Sequence, residues 1–331
     1  MRFFELQDSA RAGSLRLVLL FMLAVAGTVV GVHAALAAIF RALDWIALFS
    51  LARPPGFAAI NVGVTLLLVL GGWWIETSNL RARGGAERLA RRIGAREARP
   101  SASQQEQRLC NIVDEVCIAA HMPRPQVMVV PRAMTINAFA AGWDEEDSVL
   151  AVTEGALDAL TRDELQGLVA HECSHIHEGD TRLNMKLAGM VTGLELVWRF
   201  GDAVRERGGP LLVVGGAVMA MGSFGWWAGR WLQAAVSRQR EFLADARAVQ
   251  WTRSRDGLGG VLRKALTQQA QNVRGPAWPG AAQHLLLVGD AAARGRWLDS
   301  HPPLQERIRR LYGRPMPGLP LAQEPAPPLA A

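Results

Sequence analysis

Four stretches of the chain lack the polar–apolar alternation of a water-exposed domain. Leu17–Phe40 is a run of 24 residues whose only ionisable side chain is His33. As a helix it would extend about 36 Å, more than the roughly 30 Å hydrocarbon core of a bilayer. Phe57–Ile75 is a second uncharged run, of 19 residues, and it ends near Trp73 and Trp74, the aromatic pair expected at a membrane interface. Leu211–Gly229 is a third, also of 19 residues. Leu183–Phe200 is apolar but interrupted by Lys186, Glu195 and Arg199. The pattern predicts about four transmembrane helices in two hairpins. A buried core helix is the competing reading of each run.

The remaining chain predicts a mixed polar domain. Residues 104–120 and 230–250 show helical periodicity, and Gln126–Val130 and Ser148–Val152 are Val-rich runs of strand length. From Arg314 onward Pro, Ala and Gly dominate, which predicts a disordered tail. The fold class is mainly α (α+β), with a small β-sheet. The expected organisation is a membrane hairpin in 1–80, a first polar part in 81–182, a second hairpin in 183–229, a second polar part in 230–313 and the tail in 314–331.

Composition agrees with membrane spans joined to a polar domain. Charged residues are 20% of the chain and hydrophobic ones 50%, against about 25% charged in soluble proteins. That apolar content excludes intrinsic disorder. Three cysteines are too few for a disulfide framework, and Cys110 and Cys117, seven apart, share a helical face as buried thiols. The net charge is +6, carried almost wholly by Arg, since Lys occurs only at 186 and 264. No nucleic-acid motif accompanies it, so a membrane surface and not nucleic acid is the expected partner of the basic residues.

The flanks set an orientation. Arg81, Arg83, Arg88, Arg91, Arg92, Arg96 and Arg99 follow the second run, while only Arg41, Arg53 and Asp44 lie between the first two. Basic residues accumulate on the cytoplasmic side, which places the N-terminus and the chain after residue 76 there. Arg2, Arg11 and Arg16 imitate a signal sequence, but the first run is longer than a signal core of about 7–15 residues and is read as an uncleaved anchor. Arg81–Arg99 reads either as an amphipathic helix on anionic headgroups or as a solvated charged linker.

The chemistry is concentrated after Thr161. Thr161-Arg162-Asp163-Glu164 has the form of a capping box. Leu165, Leu168, Val169 and Ile176 follow as an apolar stripe, and the same helix carries His171-Glu172-Cys173-Ser174-His175. Histidines four apart project from one face, so both imidazoles can reach one ion, with Glu172 pointing to the adjacent side. Two unrelated histidines on an ordinary helix give the same pattern. His177 is turned away by about 200° and stays outside the set, and Gly179 and Asp180 mark the helix end.

A catalytic zinc takes three protein ligands and keeps one position open. The best source of a third is Ser237–Asp245, where Glu241 and Asp245 stand four apart. That spacing suits a ligand plus a carboxylate that accepts a ring N–H from a ligand histidine. It suits equally a surface acidic pair salted by Arg238 and Arg240.

These two segments, with Gly179-Asp180, resemble the M48 zinc metallopeptidases, which include the HtpX heat-shock proteases and the Ste24 CAAX proteases. Asn137-Ala138-Phe139-Ala140-Ala141-Gly142 and His301-Pro302-Pro303 with Arg307-Ile308 are similar to further family segments, and the matches run in order over roughly residues 104–312. The resemblance implies a membrane-anchored, gluzincin-type metalloendopeptidase. It implies one Zn2+ per chain, held by His171, His175 and Glu241, with Glu172 as general base. It further implies that Asp245 orients a ligand histidine and that Asn137, His301 and Arg307 line the site near the scissile carbonyl. Polypeptide substrates are implied, as unfolded or damaged membrane proteins in HtpX-like quality control at the inner membrane. At most four spans fall short of the many-helix chamber of the CAAX proteases. A Ste24-type prenyl-protein protease and a noncatalytic zinc-binding scaffold are the alternatives.

One ion constrains topology. His175 and Glu241 flank the runs 183–200 and 211–229, so both runs cross or neither does. The expectation is a crossing hairpin that turns at Arg205–Pro210, with the active site cytoplasmic. Lys186, Glu195 and Arg199 would then face protein, a cavity or an interface, since a charge facing lipid at mid-bilayer costs on the order of 3 kcal/mol or more. A substrate is expected to pair as an added strand near Gln126–Gly142. Within 253–300, His284 and Leu285–Val288 are expected to pack on the site.

Overall fold

The uncharged runs fold as long helices. The computed structural model describes residues 2–46, 54–271, 273, 286–287 and 301–321, leaving out the side chains of 2–18, 46, 230 and 232–239. Its helices are α1 (Arg2–Ile46), α2 (Phe57–Arg81), α3 (Gly85–Arg92), α4 (Gln104–Ala120), α5 (Glu154–Ala159), α6 (Arg162–His177), α7 (Asp180–Arg205), α8 (Pro210–Thr252), α9 (Arg255–Ala270) and α10 (Leu304–Tyr312). The strands are β1 (Arg96–Glu97), β2 (Gln126–Val130), β3 (Ala138–Gly142) and β4 (Ser148–Thr153). The chain divides into two units, Met1–Asn79 with Lys186–Gln233, and Leu80–Met185 with Ala234–Ala331.

The first unit holds the membrane-length segments. Leu19–Trp45, Phe57–Arg81 and Pro210–Gly229 are long and apolar enough to cross a bilayer. The expected fourth span is the exception. α7 has 26 residues, enough length, but Lys186, Glu195, Arg199 and Asp202 keep it outside the apolar set. Two of those charges pair one turn apart, Arg199 Nη2 lying 2.9 Å from Glu195 Oε1. The turn between α7 and α8 falls where expected, with Gly208 and Gly209 at φ 72° and 58°. Glycines let helix backbones touch here: a Cβ on Gly201 would lie 2.3 Å from Met219 N, and one on Gly193 would lie 2.4 Å from Val69 O. Such close crossings supply the packing that hydrophobicity cannot supply within lipid.

The second unit is built on a four-stranded sheet of order β1-β2-β4-β3, in which β2 and β4 run parallel and the other pairs antiparallel. The two Val-rich runs are β2 and β4. β3, with only Ala, Phe and Gly, has no strong strand signal in sequence and forms the sheet edge. Leu109, Ile112 and Val113 of α4, Leu150 and Val152 of β4, Leu165 and Leu168 of α6, and Val261 and Leu262 of α9 make one core, each no more than 2% exposed. All three cysteines are buried free thiols.

The basic segment after α2 is neither wholly helix nor a solvated linker. α3 buries Ala86, Leu89 and Ala90 and exposes Arg88, Arg91 and Arg92, while Arg96 in β1 pairs with Glu106 of α4 at 2.6 Å. The Pro-rich end also differs from expectation. Residues 314–321 lie along α9, where Arg263 Nε donates to Pro317 O at 2.7 Å and Leu319 N–H donates to Arg263 O at 3.2 Å. These two bonds, both to Arg263, tie down a segment whose composition alone predicts no order. Residues 322–331 lie outside the described residues.

Candidate active site

α6 starts as its sequence dictates. Thr161 Oγ1 accepts from Glu164 N at 3.4 Å, and the Glu164 carboxylate accepts from Thr161 N at 2.8 Å, which closes the capping box. Lys264 of α9 locks that carboxylate at 2.6 Å. The stripe Leu165, Leu168, Val169 and Ile176 is buried. That fixes the rotation of the helix and turns His171 and His175 to one side.

The two imidazoles face each other through Nε2 atoms 3.3 Å apart. Glu241 arrives from α8 with Oε1 at 3.5 Å from His175 Nε2 and Oε2 at 3.7 Å from His171 Nε2. Asp245, one turn further along α8, places Oδ1 at 3.1 Å from His171 Nδ1. Both acids are buried, at 3% and 4% exposed, so they are not a solvated surface pair. A second carboxylate, Asp180, lies 3.0 Å from His175 Nδ1. Carboxylate oxygens accept, so each Nδ1 carries the proton and each Nε2 turns a lone pair inward.

This donor set fits a metal ion. Ligands of a tetrahedral zinc at 2.0–2.1 Å stand about 3.3–3.4 Å apart; the two imidazole nitrogens meet that spacing at 3.3 Å, and the Glu241 oxygens lie slightly wider, at 3.5 and 3.7 Å. His171, His175 and Glu241 offer ligand atoms all within 4.8 Å of one another.

Charge distribution follows from burial and from Arg307. Burial pushes His171 down to about 4, against the opposing pull of Asp245. Burial also works against protonated His175, but the hydrogen bond and charge of Glu241 outweigh it, and its pKa rises. Glu172 is 1% exposed, and burial lifts its carboxyl to about 7, with Glu241 adding to the rise while His175, Arg307 and the Ala140 backbone oppose it. Burial would raise Glu241 and Asp245 as well. For Glu241 the charges of His301 and Arg307 prevail, and for Asp245 the charge of Arg307 and its bond to His171 prevail, so both are held below the ordinary range.

The cavity beside these groups is lined by Ala140, His171, Glu172, His175, Asp180, Asn184, Arg240, Glu241, Leu286, Leu287 and His301. Of the site residues expected from sequence, His171, Glu172, His175, Glu241 and His301 come together at its surface, and Asp245 stands behind His171. His301 Nδ1 is 3.2 Å from Glu241 Oε1, and its Nε2 has no hydrogen-bond partner among the described residues. Arg307 is not among the residues that line the cavity. It is 0% exposed, donates to Asp245 through Nε and Nη2 at 2.9 and 2.6 Å, and lies 3.0 Å from Glu241 through Nη1. Its Nη2 also lies 3.4 Å from His171 Nε2, so the two carboxylates hold it against the proposed ligands. Asn137 also lies outside the lining, buried at the entry to β3, with its Oδ1 accepting from Ala138 N at 3.1 Å.

The β3 edge borders the cavity at Ala140. Leu287 N–H donates to Ala138 O at 3.0 Å on the side away from β4, so the chain itself occupies the outer edge of β3 at Ala138, and Ala140 is the edge residue that borders the cavity. Leu286 and Leu287 are buried there, while Leu285 and Val288 lie outside the described residues. His284 lies outside the described residues. Sequence reading missed the contributions of Asp180, Asn184 and Arg240. Asp180 and Arg240 looked like a helix end and a salt partner, and only the acid directly after Gly179 hinted otherwise.

A membrane-attached unit with an H-E-x-x-H helix, a carboxylate from a second helix and an edge strand beside them defines a peptidase. The pattern of Peptidase family M48 matches residues 103–314, and the chain belongs to that family. Among similar proteins, a Protease HtpX homolog of Dictyoglomus turgidum is 34% identical over 210 residues, covering 61% of this chain and 68% of the relative. Another, of Ligilactobacillus salivarius, is 35% identical over 224 residues, covering 63% and 73%. The crystal structure of S. mikatae Ste24p aligns with 93% of this chain and 66% of that chain at 15% identity and a TM-score of 0.39, a likeness too slight to build on.

Proposed function

We propose that the protein is a zinc-dependent endopeptidase that cleaves unfolded or damaged membrane proteins at the cytoplasmic face of the inner membrane. The observation that carries this reading is the pair of Nε2 atoms 3.3 Å apart with Glu241 facing both. His171, His175 and Glu241 would hold the ion. When bound, zinc supplies Lewis-acid activation of water and of the peptide carbonyl.

The chain's own groups do the rest. An extended peptide adds to the β3 edge, as in other strand-addition complexes, and Leu286 and Leu287 exclude water beside it. Main-chain pairing is weakly sequence-selective, which suits substrates recognised by being unfolded. Asn137 steadies the start of β3 and with it the grip on the peptide backbone. Glu172, raised toward neutrality by burial, takes the proton of the attacking water and returns it to the leaving amine. His301, which lines the cavity, donates to the oxyanion as it develops. Arg307 acts through Asp245 and Glu241, whose charges it balances, and not on substrate.

A crossing hairpin of α7 and α8 keeps His175 and Glu241 on one side of the bilayer, and the arginines after α2 put that side in the cytoplasm. Replacement of Glu172 by Gln tests the reading. Casein cleavage is expected to vanish while bound zinc stays near one per chain, and retained cleavage would refute Glu172 as base. A noncatalytic scaffold predicts no chelator-sensitive cleavage in the wild type. Equal rates on farnesylated and plain peptides are expected, against a prenyl-protein protease.

A further inference from the structure

The two ligand histidines are backed by different parts of the chain: His171 by Asp245 on α8, and His175 by Asp180 at the first position of α7. We propose that Asp180, clamped by Arg240, is the positioning residue of His175, and that this pair sets the metal affinity of the site. The inference rests on reading His171, His175 and Glu241 as metal ligands.

Asp180 cannot reach His175 along a continuous helix. Five residues rotate a helix by about 500°, which leaves the two side chains about 140° apart. Contact requires the break between α6 and α7. Gly179 supplies it at φ 72°, with nothing within 4 Å of where a Cβ would stand. Glycine is needed there for backbone conformation and not for room.

Asp180 is 4% exposed, and a carboxylate buried that deeply needs compensation. Its two oxygens are divided: Oδ2 faces His175 Nδ1 at 3.0 Å, and Oδ1 is paired with Arg240 Nη1. Arg240 directly precedes Glu241. Two turns further on, Arg247 Nε donates to Glu178 Oε1 at 2.9 Å. α8 therefore grips the corner at Glu178 and Asp180 with the same stretch that presents Glu241. The second histidine and the third ligand are held as one piece.

An acceptor on Nδ1 fixes the tautomer and raises the basicity of Nε2; loss of such a partner typically weakens metal binding about 10–100-fold. The test uses the metal-stripped full chain in detergent and measures its zinc Kd by competition with a fluorescent chelator, beside the Tm of each apoprotein. Asp180→Ala is expected to weaken zinc binding by about 10–100-fold, and Arg240→Gln by a smaller factor in the same direction. If Asp180→Ala does not fold, Asp180→Asn, which keeps shape and one acceptor oxygen but no charge, carries the test with an intermediate loss. A lowered Tm with wild-type zinc affinity makes Asp180 merely structural and overturns the proposal. Failure of the wild type to bind zinc overturns the metal-site reading along with it.

Discussion

Arg307 embraces Asp245, donating to one oxygen through Nε at 2.9 Å and to the other through Nη2 at 2.6 Å. The same guanidinium lies 3.0 Å from Glu241. A single fully buried cation thus balances two buried carboxylates, one proposed to hold the metal and one standing behind His171. Removing it leaves Asp245 with only His171 and Glu241 with only the histidines around it. Arg307→Met is expected to destabilise the protein by about 3–5 kcal/mol, read from the urea midpoint in detergent. Arg307→Lys restores the charge but not the two-pronged geometry and is expected to recover only part of the loss. Wild-type stability in Arg307→Met would contradict this assignment.

Metal binding and protons compete at His175. Its pKa is raised in the metal-free protein because Glu241 outweighs the effect of burial, while burial holds His171 neutral down to about 4. A ligand must be deprotonated to bind. Apparent zinc affinity should therefore fall as pH drops below the raised His175 pKa by up to about tenfold per pH unit, His175 giving up its proton to each ion bound there and Glu172 adding a further fraction near neutral pH. Isothermal titration in buffers of different ionisation enthalpy counts those protons. Zinc affinity independent of pH across this range would contradict the arrangement.

Glu172 is expected to be half protonated near neutral pH in the apoprotein, because burial lifts its carboxyl to about 7. A raised carboxyl pKa makes the protonated form the stable one, so its contribution to folding is present at low pH and lost as pH rises through about 7. Zinc adds positive charge nearby and drives the proton off. Infrared difference spectra should show a protonated-carboxyl band in the apoprotein at neutral pH that disappears on zinc addition and is missing in Glu172→Gln. A band unchanged by zinc would count against the placement of Glu172 beside the metal.

Much of this was legible in sequence. The capping box Thr161–Glu164 and the stripe from Leu165 to Ile176 fix both the start and the rotation of α6, and with them the facing of His171 and His175. These are local, periodic signals. The choice for Glu241 and Asp245 was not local: an i,i+4 acidic pair reads alike on a surface and in a core, and only Arg307, more than sixty residues away, makes burial affordable. β3 was weak for the same reason, since Ala138–Gly142 becomes a strand by pairing with β4 and not by its own residues. Asp180 escaped notice because helical phase forbids an i,i+5 contact unless Gly179 breaks the helix. The Pro-rich stretch 314–321 is ordered by bonds to Arg263 that composition cannot announce.

The close fit of α6 against α9 gives a stability prediction that is independent of metal. A Cβ on Gly167 would come within 2.3 Å of Leu258 N and 2.7 Å of Gly257 C, and backbone atoms cannot step aside as a side chain does. Gly167→Ala is expected to destabilise by about 1–3 kcal/mol or more, with the helices pushed apart. Equilibrium unfolding measures it, and a neutral outcome would contradict the approach of the two helices.

X-ray absorption at the zinc edge, on the zinc-loaded full chain and on Glu241→Gln, tests the central claim most directly. Two imidazole nitrogens with oxygen completing the shell at about 2.0 Å, and a shell altered by Glu241→Gln, are predicted. A sulfur ligand, a single imidazole or a shell indifferent to Glu241 would contradict the convergence of α6 and α8 on one ion.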